Sequence, residues 1–469
     1  MNERSSKTSG KKPGLILAVY LLGLLIGGLY VGMVSPVRTV VQADFGIDGT
    51  VGIWMINIYT LFYAALIPII GSIADRKGSK RVFCLCVGVF GVGALLCGLS
   101  KYAGGFALLL VGRVAQAVGA GGMIPVANAS IGTTFPPEKR GMALGIAAVV
   151  MGVSNVFGAV VGSAIVGALG LGRWSFVFFL CLPFCVLLMV AAKMVLPDDE
   201  QSARQSTKTD IVGSVLFALF VIVLLLGVKA INFEATDDAS AWLAPLGFLV
   251  LAAIVLVAFR HVERRADAPV FHLEYFHNRP IVITMVVSFF IGCFVISLVL
   301  VPELAEYAMD DPLGSGGFYV LAIGLPSFVV TPVAGKVIDK VGPKLVLMVG
   351  LAISMAGLLF LALVVLAQPT SVLLVIGLAI VGIGMGMAMG APTNYMILEN
   401  VDKSESTSAI ATITLIRQIG TSVAPAMLVG FIASAPGLAG YQNMLLCVLV
   451  FNALAFVTMV FYRSPKTNG

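Results

Sequence analysis

Four ionisable side chains interrupt long apolar stretches of this chain and are where chemistry could be done away from water. Arg113 lies in "LLVGRVAQAVGAGG", with Gln116 three residues on, and Arg417 lies in "TLIRQIGTSVAP". Glu303 and Glu306 lie in "LVLVPELAEYAMDD", three residues apart and so on one face of a helix, next to Pro302, which can loosen it. A charge inside an apolar helix is costly; by default it marks a pathway, a cavity or a tie to backbone carbonyls. Arginine brings a permanent planar fork of donors, whereas a carboxylate can load and unload a proton. For the two arginines, a role facing a cavity and a structural role both fit. For the two glutamates, counted towards the outer end of their run, the alternatives are proton or cation handling and a water-exposed mouth.

The elements that carry these residues are fixed by composition. Of the 469 residues, 59% are hydrophobic and 11% charged, and the mean hydropathy is +1.04, far outside the range of soluble domains. Apolar runs of about 20 residues, the length a helix needs to cross about 30 Å of hydrocarbon, fill the chain from residue 14 to residue 462. The alternation of a β-barrel is absent, so the expected fold class is all-α and polytopic. Spans are expected at 14–36, 51–73, 81–99, 103–125, 142–168, 174–196, 211–232, 241–260, 280–303, 317–338, 344–366, 371–397, 407–433 and 441–462. The first run follows "MNERSSKTSGKK", is long enough to span, has no small-residue cleavage site, and reads as a retained span.

Other chemistries are disfavoured. Cys84, Cys86, Cys97, Cys181, Cys185, Cys293 and Cys447 fall in or beside apolar runs without metal-ligand spacing, and His261, His272 and His277 share one polar loop. No metal, cofactor, nucleotide-binding loop or nucleophile motif is expected, and the chain reads as not an enzyme. The net charge of +6 is scattered over short loops rather than clustered, which argues against nucleic acid as a partner. With the amino terminus inside, Lys and Arg divide 23 to 4 between inner segments and outer loops, the four outer ones being Arg38, Lys101, Arg173 and Lys229. The positive-inside rule then puts both termini in the cytoplasm of a multi-pass protein of the cell membrane.

The loop "GSIADRKGSKR" at Gly71 returns in looser form as "GKVIDKVGPKL" at Gly335. A similar offset relates "AVGAGGMIPVANAS" in span 4 to "VGIGMGMAMGAPTNYM" in span 12. The expected organisation is a tail (1–13), a six-helix bundle (14–196), a central insert (197–279) with two extra spans at about 211–232 and 241–260, a second six-helix bundle (280–462) and a tail (463–469). The two bundles are related by a pseudo-two-fold axis, as in secondary transporters built from repeats.

On these residues the chain resembles the major facilitator superfamily, and within it the fourteen-span drug:proton antiporter branch. The branch's loop signature is met by Gly71, Asp75, Arg76, Gly78, Lys80 and Arg81, and degenerately by Gly335, Asp339, Lys340, Gly342 and Lys344. "WMINIYTLFYAALIPIIG", "GRVAQAVGAGG", "ERRADAPVFHLEYFHNRP" and "IRQIGTSVAPA" are similar to its spans 2 and 4, the approach to span 9, and span 13. The resemblance implies alternating access, with each loop acting as a conformational latch. Gly71 and Gly78 would let backbones approach closely, Asp75 would sit at a helix dipole of the other half and Arg76 would meet a carboxylate. Two positions depart from the pattern. Tyr30 stands where the branch commonly carries an Asp, and Ala159 follows Gly158 where a Gly-Pro pair is expected.

A cavity wall could include Tyr30, Tyr59, Phe62, Tyr63, Asn155, Phe157 and Asn394, a mixture suited to bulky amphipathic molecules. The expected activity is export of drug-like hydrophobic or cationic compounds in exchange for protons, with small-molecule substrates, protons and the lipid bilayer as partners and a monomer as the working unit. A dedicated exporter or facilitator for one metabolite, antibiotic or lipid is the alternative. A transport-dead sensor is a weaker one, since no soluble signalling domain is present.

Overall fold

The structure is a computed structural model that describes residues 13–135, 137–197, 211–231, 239–265, 273–389, 391–401 and 406–463. The side chains of Asp75, Arg76 and Asp339 lie outside those it describes. Among the described residues thirteen helical segments are long and apolar enough to cross a membrane. A fourteenth apolar helix, where span 7 is expected, has a shorter apolar stretch, Val215–Val228. The protein is an all-helical polytopic membrane protein.

The principal helices are α1 (Pro13–Phe45), α2 (Trp54–Lys77), α3 (Ser79–Leu99), α4 (Gly105–Thr134), α5 (Pro137–Leu169), α6 (Cys181–Val195), α7 (Ile211–Lys229) and α8 (Leu243–Glu263). There follow α9 (Arg279–Ser297), α10 (Val320–Val341), α11 (Pro343–Phe360), α12 (Ser371–Ala388), α13 (Ser406–Ala433) and α14 (Leu438–Val460). Just before Pro302, α9 passes through a 3-10 turn, Leu298–Leu300, and continues as Val301–Met309. This is the loosening expected where proline supplies no N–H. α12 is likewise followed by a separate helix, Ala391–Leu398.

The repeat is visible in the element boundaries. Lys77 and Val341 end α2 and α10, Ser79 and Pro343 begin α3 and α11, and each pair has the same separation as Gly71 and Gly335. Between them Gly78 (φ +95°) and Gly342 (φ +83°) adopt a backbone that side chains with a Cβ rarely tolerate. Lys80 Nζ then donates to the Leu196 carbonyl at the end of α6 (3.0 Å), and Lys344 Nζ to the Val460 carbonyl at the end of α14 (3.0 Å) and to Tyr462 O (2.7 Å). Donor and acceptor are displaced together by the length of the repeat. In both places an ammonium satisfies orphan carbonyls at the negative end of a helix. The Tyr462 hydroxyl lies between Asn400 Nδ2 (3.2 Å) and the Met396 carbonyl (3.3 Å).

Contacts divide the chain into two compact units along a line different from that between the sequence halves. The first comprises Met1–Val31, Leu66–Asn155 and Ser175–Thr207, and the second Gly32–Ala65, Val156–Trp174 and Lys208–Gly469. The boundary cuts through α1, α2 and α5. Helices this long, rising about 1.5 Å per residue, meet different neighbours at their two ends.

In the first unit α3 and α4 cross at Gly93 and Gly112, where a Cβ on either would run into the backbone of the other helix. In the second, α11 and α12 cross in the same way at Gly350 and Gly384. Such small-residue crossings are how helices associate where lipid removes the hydrophobic drive. Also in the second unit, α9 and α13 meet at Gly292 and Gly420, and α7 packs on α8 and α13.

Candidate functional site

α1 runs on to Phe45, past the expected end of span 1, and this carries Arg38 out of the predicted outer loop into the helix. Arg38 is 0% exposed and forms an ion pair with Glu303 Oε2. Next to it Thr39 Oγ1 lies 2.8 Å from Glu306 Oε2 and 3.2 Å from the Pro36 carbonyl. The other oxygen of Glu306, Oε1, accepts from the backbone N–H groups of Gly314 and Gly316, both at 3.0 Å. The shared face expected for Glu303 and Glu306 is therefore the face turned to α1. Neither sits at a water-exposed mouth, since Glu306 is 5% exposed and the Glu303 side chain 17%.

The walls of this cluster are built from backbones in close approach. Ser35 Oγ donates to the Val299 carbonyl, and Gly317 N donates to Ser163 Oγ of α5 at 3.0 Å. A Cβ at Gly317 would strike the carbonyl of Ala159, the position at which the sequence departs from a Gly-Pro pair. Tyr441 of α14 lies near Glu303, and its ring is 5.2 Å from that of Tyr307. All of these residues belong to the second unit. They gather at the carboxy-terminal end of α1 and in the α9 continuation.

The cluster has one cation for two carboxylates. Two of Arg38's guanidinium nitrogens, Nε and Nη1, are buried without an acceptor among the described residues. Each unsatisfied buried donor costs about 1–3 kcal/mol, so the ion pair is held in a strained polar environment and not a fully satisfied one.

Arg113 is 2% exposed in the first unit and donates to Gln116 Oε1 at 2.7 Å within its own helix; Cys97 Sγ lies 3.8 Å from the same oxygen. This geometry is that of a buried polar tie between α3 and α4. Arg417 is partly buried, with its backbone carbonyl against Gly292 of α9.

The expected cavity residues scatter. Tyr30 is buried in helix packing, its ring 5.9 Å from Phe90 and its hydroxyl donating to Val177 O at 3.2 Å, so it does not present its hydroxyl to a cavity. Phe62 packs on an apolar cluster with Phe217, Val221 and Phe259 of the inserted helices, which the sequence could not foretell because the insert lies far along the chain. Tyr59 and Tyr63 are stacked, 6.0 Å between centroids. Asn155 is exposed in the middle of an apolar helix and Phe157 is 47% exposed; an amide so placed is better accommodated by a wetted face than by lipid. Asn394 is half-buried, with Oδ1 unpartnered among the described residues. A groove of about 490 Å³ lined by Phe318, Tyr319, Leu325, Pro326, Val375 and Ala379 contains none of the nominated residues.

In the loops, a Cβ at Gly71 or Gly335 would meet no atom within 4 Å among the described residues, so close approach does not explain these glycines here. The requirement at Gly78 and Gly342 is a positive φ. Arg81 and Lys340 are exposed. Sequence reasoning missed Arg38, which reads as a loop charge, and Asn57 of α2, which is 0% exposed with both amide atoms unpartnered among the described residues. No group of His, Cys, Asp and Glu that could hold a metal occurs among the described residues.

Comparison with known proteins gives a consistent outcome. The family described as Major Facilitator Superfamily is matched over residues 20–425 and 315–469. The multidrug resistance protein B homolog of Mycobacterium tuberculosis (strain ATCC 25618 / H37Rv) is 29% identical over 416 residues, 87% of this chain and 74% of that protein. The riboflavin transporter RibZ of Clostridioides difficile (strain 630) is 25% identical over 430 residues, 91% of this chain and 89% of that one. Among solved structures, a D-xylose-proton symporter superposes with a TM-score of 0.71 at 13% identity, over 97% of this chain and 98% of that chain.

Proposed function

The chain belongs to the major facilitator superfamily, and from that premise we propose that it exports drug-like hydrophobic or cationic compounds in exchange for protons, by alternating access. Being a superfamily member, it is a secondary transporter that binds small molecules in the membrane and is not an enzyme. The observation that carries the finer reading is the buried cluster of Arg38, Glu303, Thr39 and Glu306. It is a polar closure between α1 and the α9 continuation that holds only while the two are in contact, and alternating access requires such a contact to break once per cycle.

The charge distribution, 23 inner against Lys101, Arg173 and Lys229 outside once Arg38 is placed in α1, supports an orientation in which this closure faces outside and both termini lie in the cytoplasm of the cell membrane. The protein works as a monomer in this reading. The relatives named for multidrug resistance favour a broad substrate range. The relative named as a riboflavin transporter favours the second reading, a dedicated exporter of one metabolite.

Flux into and out of proteoliposomes, driven by an imposed pH gradient and run on a panel of cationic dyes beside flavins, tests both. Gradient-dependent movement of several unrelated dyes is expected. Movement of a single compound, or no response to the gradient, would replace the proposal with the second reading.

A further inference from the structure

Glu303 and Glu306 differ in what faces them, although they lie on one turn. Glu303 is paired with the permanent cation of Arg38, from α1, and lies near Tyr441, from α14. Glu306 has no cation among the described residues. It faces Thr39 of α1, the Gly314 and Gly316 amides of the following loop, and the charge of Glu303 on its own helix. The remaining titratable groups nearby are engaged elsewhere: Asp311 accepts from the Tyr319 hydroxyl at 2.9 Å, and Tyr307 packs on Tyr441. With one guanidinium and two carboxylates, the buried set is electrically neutral only when one proton is held with it.

The hydrogen bonds around Glu306 accept that proton without loss. When Glu306 is ionised, Thr39 donates to Oε2 across 2.8 Å. When Oε2 is protonated, its O–H donates to Thr39 Oγ1 over the same distance, and the Thr39 hydroxyl turns to the Pro36 carbonyl at 3.2 Å. Oε1 keeps both backbone donors in either state. The threonine is a two-way relay, and no buried donor or acceptor is stranded by the change.

We propose that Glu306 is a proton-binding site built into the outer closure. As α1 comes against the α9 continuation, one proton from the outer medium is bound on Oε2 between Glu306 and Thr39, and the Arg38–Glu303 pair serves as the fixed partner. In the open form Glu306 is wetted and ionised, and opening returns the proton to water. The proposal rests on the transport reading for the direction of the closure, but its test measures the closure and not flux.

Ser35, buried at 6% behind the cluster, serves as the reporter. Ser35→Cys is introduced with and without Glu306→Gln, and labelling by a membrane-impermeant maleimide added outside is followed from pH 5 to pH 8, with protein lacking the reporter subtracting the seven native cysteines. Gln reproduces the protonated acid, with an amide to donate to Thr39 and a carbonyl for the two glycine amides. The Gln form is expected to stay closed at every pH. Dividing the two rates also cancels the ionisation of the reporter thiol. The ratio of labelling in the native background to that in Glu306→Gln is expected to rise towards tenfold per pH unit, the slope for one proton taken up on closure.

Glu306→Asp, which still titrates, should restore a slope, whereas Glu303→Gln, which leaves Arg38 and an ionised Glu306 electrically balanced, should flatten it. A flat ratio, labelling of the Glu306→Gln form that itself rises with pH beyond the ionisation of the thiol, or labelling that follows sodium at constant pH would each overturn the proposal. Absent dye flux with the slope intact would count against the substrate reading alone; gradient-driven flux with no slope would count against this site alone.

Discussion

Removing the Arg38 guanidinium strands the Glu303 carboxylate in a setting where water barely reaches it, and breaking one side of such a pair costs about 3 kcal/mol. Arg38→Met is therefore expected to lower the thermal unfolding temperature of the purified protein, Glu303→Gln to lower it less, and the double substitution to recover most of the loss. Additive effects would show that the ion pair contributes nothing specific. This pair was out of reach of the sequence. "SPVRTVVQADFG" contains Pro36, Arg38, Thr39 and Gln42 and reads as the polar end of a span, because the partners that make those groups acceptable in a helix lie 265 and 267 residues further on. The glutamates were legible as a shared face since helical spacing is local information; their burial was not, as it depends on α1. Arg113 was legible as intramembrane, but its engagement with Gln116 in the same helix had to be seen.

The paired lysines express the duplication as geometry. Lys80→Ala and Lys344→Ala each remove an ammonium from the carbonyl end of a helix and should each destabilise by about 1 kcal/mol. Since the two bond the ends of different helices, the double variant should show the sum. Thermal unfolding in detergent reads this directly, and a strongly unequal pair of effects would contradict their equivalence. The sequence supplied the number of long apolar helices to within one, and the repeat offset that the α2–α3 and α10–α11 boundaries follow. It did not supply the breaks in α9 and after α12. Hydropathy averages over a window longer than a 3-10 turn, and Pro302 by itself is compatible with a kink or with none.

Topology and switching belong to the whole molecule. Single cysteines in the amino-terminal tail and near Asp237 should be labelled from opposite sides of the membrane; labelling from the same side would remove the inserted pair of spans from the scheme. The roles of Asp75 and Arg76 as a latch stay a proposal, for which Asp75→Asn should slow turnover while leaving substrate affinity in detergent nearly unchanged. The inserted helices have one further consequence. Leu61 of α2, Phe217 and Val221 of α7, Phe259 of α8, and Leu415, Ile419 and Val423 of α13 form one buried apolar cluster, and Ser422 Oγ reaches the Thr60 carbonyl at 3.3 Å. α7 thus packs on α13 beside Leu61 of α2, and α8 leaves Leu246, Val250, Ile254 and Val257 exposed on its outer face. The insert is therefore tied into the bundle by an apolar core of its own and is not a loosely appended pair of helices.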